Sequence, residues 1–277
     1  MTSDLDRNTR CCGRPWCVRD ACGLTCAIIT WLLIFYGEFC VLTVMLASLP
    51  THTIHQTVNV VIFHVLVILA VVSHLKTMLT DPGAVPKGNA TDDYIQRLQG
   101  QNNSIVYKCS KCSSIKPERA HHCSVCDRCV RRMDHHCPWV NNCVGEGNQK
   151  FFVLFTVYIA LLSSHAFYWA IWQFATCVRE EWNLCSFFSP PATTLLLVFL
   201  LFEAVLFAIF TFVMFGTQLN SICNDQTAIE SLKREKISSG PNGWKNLQMI
   251  FGGPLSIRWF NPFISPYISK PSSEYSV

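Results

Sequence analysis

CSKCSSIKPERAHHCSVCDRCVRRMDHHCPWVNNC, residues Cys109–Cys143, holds seven of the chain's sixteen cysteines and four of its nine histidines. Two thiolates two residues apart sit on one tight turn and reach the same tetrahedral ion. The pairs Cys109/Cys112 and Cys123/Cys126, with histidines nearby, therefore point to zinc. A shift of fourteen residues lays the segment on itself: Cys109 on Cys123, Cys112 on Cys126, His121 and His122 on His135 and His136, Cys129 on Cys143. Two Cys3His sets follow, Cys109, Cys112, His122, Cys129 and Cys123, Cys126, His136, Cys143, each a closed structural composition. The sets interleave along the chain, so two ions are expected to stitch the loop into one unit with little apolar core of its own. The shift is equally satisfied with His121 in place of His122, and with His135 in place of His136.

Eight ligands leave His121, His135 and Cys137 over. Cys137 falls where a third copy of the repeat would begin, but Val140 stands where its partner cysteine would be. A cysteine without structural duty beside a free histidine is a candidate nucleophile. His135 is positioned to act as the base and to stabilise the thiolate, the reactive form. Asp134 is positioned to fix the tautomer of His135, the role of the acid in a triad. Metal binding by the flanking His136 and Cys143 would impose the bent backbone that neighbouring residues need in order to meet.

Outward from this segment the chain turns apolar. Of 277 residues, 50% are hydrophobic and only 14% charged, against about a quarter charged in soluble domains; mean hydropathy is +0.27. Four runs account for this, Leu24–Leu49, Thr57–Leu75, Phe151–Ala175 and Ala192–Thr217, each near the ~20 residues that cross a bilayer. The first is too long for a cleavable signal and reads as a signal anchor. Arg7, Arg10, Arg14 and Arg19 precede it, the next connection (PTHTIHQ) has no Lys or Arg, and residues 76–150 hold eleven. The positive-inside rule then places both termini and the middle segment in the cytosol. There a disulfide framework is disfavoured, and cysteines serve metals or catalysis. The sequons at Asn89 and Asn102 fall in the same segment and are expected to stay unglycosylated. The net charge of +4 reads as a topology signal, and no nucleic-acid-binding domain is evident.

The fold class expected is an all-α integral membrane protein, with four transmembrane helices and a cytosolic Cys-rich module binding two zinc ions between helices 2 and 3. Its parts are a tail (1–23), a first span (24–49), a luminal loop (50–56) and a second span (57–75). A cytosolic loop (76–150, the module at about 107–150), a third span (151–175), a luminal loop (176–191), a fourth span (192–217) and a cytosolic tail (218–277) complete it.

The blocks KPERAHHCSVCDRCV and DHHCPWVNNCVGEGNQKFF, within Cys109–Phe152, resemble the DHHC protein S-acyltransferases, or palmitoyltransferases. Asp81-Pro82-Gly83 resembles the family's DPG motif, and Thr227-Ala-Ile-Glu230 its TTxE motif with Ala228 in place of the second Thr. Asn261 in RWFNPF resembles its C-terminal asparagine. The resemblance implies a protein S-acyltransferase with acyl-CoA as co-substrate. Cys137 takes the acyl group from the CoA thioester, and a cysteine of a membrane-associated protein then takes it from Cys137. It agrees with the two ligand sets and selects His136. Leu162 sits where the family's third span limits acyl-chain length, and the short tails look most like the Golgi-resident members.

Lys116, Arg119 and His121 lie inside the zinc-pinned unit and are candidates for the CoA phosphates, with an ordinary solvated or lipid-facing basic surface as the alternative. Trp139 either packs on the first carbons of the chain or sits at the membrane interface. Asp81 with Pro82 reads as an N-cap or turn that stops span two, and Thr227 with Glu230 as a capping box. Glu38 and Glu203, inside spans, are costly there and are expected to bond neighbouring helices. Cys11, Cys12 and Cys17 are candidates for acylation, Cys177 and Cys185 for a pair. Tyr275-Ser276-Val277 resembles a PDZ-domain ligand. Two rival classes are a non-catalytic zinc-stabilised scaffold, which would need none of Asp134, His135 and Cys137, and an ion transporter, for which the spans offer too few polar residues.

Overall fold

The computed structural model describes residues 16–46, 53–102, 106–182, 185–234 and 242–266. Cys11, Cys12 and Tyr275-Ser276-Val277 lie outside them.

In chain order the helix α1 (Ala21–Cys40) runs into a π-helical turn (Val41–Met45), followed by α2 (Thr53–Leu79) and the short α3 (Asp92–Asn102). Six strands follow: β1 (Lys108–Cys109), β2 (Ser114–Ile115), β3 (Ala120–Cys123), β4 (Arg128–Arg131), β5 (His135–Cys137) and β6 (Asn142–Val144). Then come α4 (Gln149–Arg179), α5 (Pro190–Cys223), α6 (Ala228–Leu232) and α7 (Gly243–Phe251). Among the described residues four helices, α1 with its π-turn, α2, α4 and α5, are long and apolar enough to cross a membrane, and the chain is a multi-pass membrane protein. They overrun the apolar runs: α4 reaches Arg179 and α5 Cys223. Helical hydrogen bonding continues past the hydrocarbon into polar flanks, which hydropathy does not record.

The chain divides into two compact units. One gathers Ile28–Ser73 and Val153–Gln218, the middles of the long helices. Its outer surface is apolar, with Leu32 at 62% and Phe202 at 69% exposure, while Phe63 and Trp169 are buried, the distribution a lipid solvent selects. Several polar groups inside it meet partners: His165 Nε2 with Asn59 Oδ1 at 2.9 Å, Tyr36 Oη donating to Leu196 O at 2.8 Å, and Glu38 facing His64 of α2 at 3.3 Å. Glu203 lines an apolar groove between α1 and α5 with Tyr36 and Phe199. Cys177 and Cys185 form a disulfide. Leu162 is buried.

The other unit comprises Met1–Ala27, His74–Phe152 and Leu219–Val277. Three antiparallel hairpins, β1–β2, β3–β4 and β5–β6, form its centre. Strands of two to four residues are too short to show alternation, and the sequence reading did not anticipate them. Asp81 starts a turn after α2: its Oδ1 accepts from Gly83 N at 2.8 Å and Ala84 N at 2.7 Å. The turn then joins the second hairpin, Val85 N donating to Cys129 O and Arg131 N to Gly83 O. This approach leaves no room for side chains opposite it. A Cβ on Gly147 would lie 2.1 Å from Asp81 O, and one on Gly145 2.6 Å from Pro82 O.

Candidate active site and metal clusters

Each hairpin closes on a turn containing one left-handed residue, Ser113 (φ 46°), Asp127 (φ 50°) and Asn141 (φ 45°), spaced by fourteen. The sequence repeat is therefore a repeat of hairpins. The turn of one hairpin supplies two cysteines, and the next hairpin supplies a cross-strand His–Cys pair. In the second hairpin His122 stands opposite Cys129, and in the third His136 stands opposite Cys143. Cys109, Cys112, His122 and Cys129 gather in one cluster, and Cys123, Cys126, His136 and Cys143 in another, the four donor atoms of each within 4.8 Å of one another.

The donor geometry fits a tetrahedral ion. Sγ–Sγ and Sγ–Nδ1 separations are 3.5–3.7 Å in the first cluster and 3.4–3.8 Å in the second. A tetrahedron with bonds of about 2.0–2.3 Å has edges of about 3.4–3.8 Å. Both histidines turn Nδ1 inward. Without a cation the thiols of the second cluster share protons unevenly. Hydrogen bonds from Cys126 and Cys143 hold Cys123 below the ordinary thiol range, while Cys126, bonded to that Cys123, is pushed up. A divalent ion resolves the competition by displacing the protons. Between alternatives that the repeat left open, the geometry takes His122 over His121 and His136 over His135.

Cys137 belongs to neither cluster. It ends β5 and leads into a 3-10 turn, Pro138–Val140, and Val140 is fully buried where the other hairpin turns present a second thiol. His135 Nδ1 donates to Asp134 Oδ2 at 2.8 Å, and its Nε2 is buried without a hydrogen-bond partner. Burial pulls the imidazole toward its neutral form, but the bond to Asp134 and the neighbouring Cys137 sulfur outweigh it and hold its pKa above the ordinary value. A ring that carries its proton is the counter-charge a neighbouring thiolate needs.

Asp134 is buried and held from two sides. Its second oxygen accepts from the backbone N–H of Ala228 at 2.8 Å and lies 3.5 Å from Ser221 Oγ. The N–H is aimed by the capping box, which forms as expected: Thr227 Oγ1 accepts from Glu230 N at 3.3 Å and Glu230 Oε2 from Thr227 N at 2.8 Å. Glu230, with a fully buried side chain, is in turn gripped by Arg119, whose Nε and Nη2 donate to its two oxygens at 2.7 and 2.9 Å.

This corrects one expectation. Arg119 also donates through Nη1 to Asp225 Oδ2 at 3.0 Å and through Nη2 to Asp225 O at 2.7 Å. Its fork is filled by protein groups and is not an open anion receptor. Asp225 also pairs with Arg132. His121 is buried with Lys233 Nζ 3.2 Å from its Nδ1, Lys116 is half-buried, and the carbonyl of Trp139 accepts from His74 Nε2 at 2.9 Å.

Two asparagines missed by sequence reading fasten the third hairpin. Asn142 Nδ2 donates to the carbonyls of Thr77, Met78 and Thr80 at 2.9–3.2 Å, and its Oδ1 accepts from Trp16 Nε1 at 3.0 Å. It thereby closes the open carbonyl end of α2. Asn141 Nδ2 donates to Val18 O at 2.8 Å. Only the adjacency of two asparagines to the candidate nucleophile's turn hinted at a role, since asparagine tolerates left-handed backbone.

A family model described as DHHC palmitoyltransferase matches residues 102–235. Palmitoyltransferase ZDHHC3-A of Danio rerio is 56% identical over 259 residues, covering 93% of this chain and 82% of that protein. Palmitoyltransferase ZDHHC7 of Rattus norvegicus is 58% identical over 253 residues, covering 91% and 82%. Palmitoyltransferase ZDHHC20 of Mus musculus is 29% identical over 296 residues, covering 92% and 77%. Identity at this level, sustained over nine-tenths of the sequence, leaves one conclusion: the chain belongs to the DHHC palmitoyltransferase family.

Proposed function

We propose that this chain, a protein S-acyltransferase by its family, moves a long-chain acyl group, mainly palmitoyl, from acyl-CoA to cysteine thiols of membrane-associated proteins, through a thioester on Cys137. The observation that supports this most directly is that Cys137, alone among the seven cysteines of Cys109–Cys143, stands outside both clusters and beside the Asp134–His135 pair at 2.8 Å.

In the first step the Cys137 sulfur attacks the carbonyl carbon of the acyl-CoA thioester, and the carbon–sulfur bond to CoA breaks. The departing CoA sulfur takes a proton from His135, which Asp134 keeps oriented and stabilised as the cation. In the second step His135 accepts the proton of an incoming protein thiol as that sulfur attacks the Cys137 thioester, and Cys137 leaves. A thioester replaces a thioester each time, so neither step needs an external energy source.

Zinc is the ion proposed for both clusters, held by Cys109, Cys112, His122 and Cys129 and by Cys123, Cys126, His136 and Cys143. Its contribution is cross-linking of the hairpins. Lys116, His121 and Trp139 are proposed to face the CoA moiety, and Leu162 to bound the acyl chain. The basic residues flanking the first span support cytosolic termini, the Cys177–Cys185 disulfide supports an oxidising lumen for the loop after α4, and family resemblance favours the Golgi membrane.

The test is acylation by a clickable palmitoyl-CoA, read as hydroxylamine-sensitive label on purified protein, for wild type and Cys137→Ser at equal zinc content. Label confined to the wild type is expected. Equal label on both would mean passive reaction at other cysteines and would remove the case for Cys137.

A further inference from the structure

The helix α7 buries Phe251 but also turns a polar side chain inward and large apolar ones outward. Asn246 is 2% exposed, with Nδ2 donating to Cys223 O at 3.1 Å, whereas Trp244 and Met249 face outward. On a helix solvated by water, Trp244 and Met249 would face the protein and Asn246 the solvent. The pattern continues beyond the helix: Leu255, Ile257, Phe260 and Phe263 are exposed, Ile257 at 86% and Phe263 at 61%. The segment is nevertheless folded, since Trp259 stacks on Phe251 at 4.8 Å and its Nε1 donates to Gly253 O at 3.0 Å. A run of exposed apolar side chains on ordered backbone marks a surface that something covers.

The anchors of the segment identify the cover. Lys150 lies in the first turn of α4, one residue before that span's apolar run, and is buried. Its Nζ donates to the carbonyls of Arg258 and Ile264, both at 2.9 Å. The other anchor, Cys223, ends α5. It lies six residues past Thr217, about 9 Å at 1.5 Å per residue. The headgroup layer occupies about 5–7 Å outside the hydrocarbon. Lys150 therefore sits where α4 enters the hydrocarbon, and Cys223 just beyond the headgroup layer at the end of α5. Residues 242–266 contain no acid, and their two basic residues, Lys245 and Arg258, are exposed, as contact with anionic headgroups requires.

We propose that Trp244–Phe263 is an interfacial anchor, lying in the headgroup layer of the membrane its own spans cross. Ile257 and Phe263 reach toward the acyl boundary, and Lys245 and Arg258 meet lipid phosphates. Lys150 sets the depth of the segment by holding two of its carbonyls at the mouth of α4.

The test places a fluorescent naphthyl amino acid at Ile257, and separately at Phe263, in full-length protein carried as single copies in lipid nanodiscs. Both positions are exposed, so the substitution leaves packing intact. Lipids bearing a nitroxide near the headgroup are expected to remove most of the emission, while iodide in solution removes little. Quenching by iodide and not by nitroxide lipid would put the segment in water. Protection from both would mean that protein covers it. Either result overturns the proposal, and neither depends on acyl transfer.

Discussion

Asp134 does its work through both carboxylate oxygens. One accepts from His135 Nδ1, the other from the N–H of Ala228, so the residue couples the proposed base to the start of α6. Asp134→Asn keeps the volume but presents an amide that cannot both accept from the imidazole and keep its charge-stabilising role. A loss of about 10²–10⁴ in single-turnover acylation is expected, in line with removing the acid of a triad or its general-base function. Zinc content should stay at the wild-type value. An acylation rate within a factor of a few of wild type would show that Asp134 has only a structural role. At this scale the sequence was informative about Cys137 and His135, because counting ligands isolates them. It did not reveal what Arg119 binds. The partners of that residue, Asp225 and Glu230, lie more than a hundred positions away, and a basic residue in a basic loop carries no sign of which acid it will meet.

The hairpin β3–β4 is the element on which the metal module turns. Its tip carries Cys123 and Cys126 for one cluster and its strands carry His122 and Cys129 for the other. Losing one ion therefore loosens the donors of its neighbour. Cys129→Ser is expected to lower bound zinc by more than one ion per chain, as measured by elemental analysis after mild chelation. Loss of one ion only would show that the clusters are independent. The fourteen-residue period was visible because metal ligands are chemically distinctive. The hairpins that generate it were not, because their strands are too short to alternate. The asparagine that fastens the last of them acts across more than sixty residues, from Asn142 to Thr77.

Across the whole molecule, the two units answer to two solvents. The membrane unit exposes Leu32 and Phe202, and the hydropathy of four runs was enough to locate its helices, with ends displaced by a few residues where polar flanks extend them. The direction in which the chain threads the bilayer rests on arginines that precede α1 and on the disulfide after α4. A sequon inserted in the loop 176–191 is therefore expected to be glycosylated when the protein is made in cells, and Asn89 and Asn102 to remain bare. Glycan on Asn89 or Asn102 would invert the topology. Asn89 has a different occupation, accepting from Ile115 N through Oδ1 at 2.8 Å.

The three equivalent turns, with left-handed residues at Ser113, Asp127 and Asn141, have a consequence for toxicology and engineering alike. The backbone around Cys137 already has the shape of a cation-binding loop, and only the isopropyl group of Val140 withholds a second sulfur. Val140→Cys is expected to create a trap for soft ions such as cadmium, with Cys137 as one jaw. Acylation should then fall when cadmium is added and recover when it is chelated, while the wild type responds less. On this view the boundary between a structural cysteine and a reactive one is a single side chain wide, and it lies three residues downstream of the sulfur it protects.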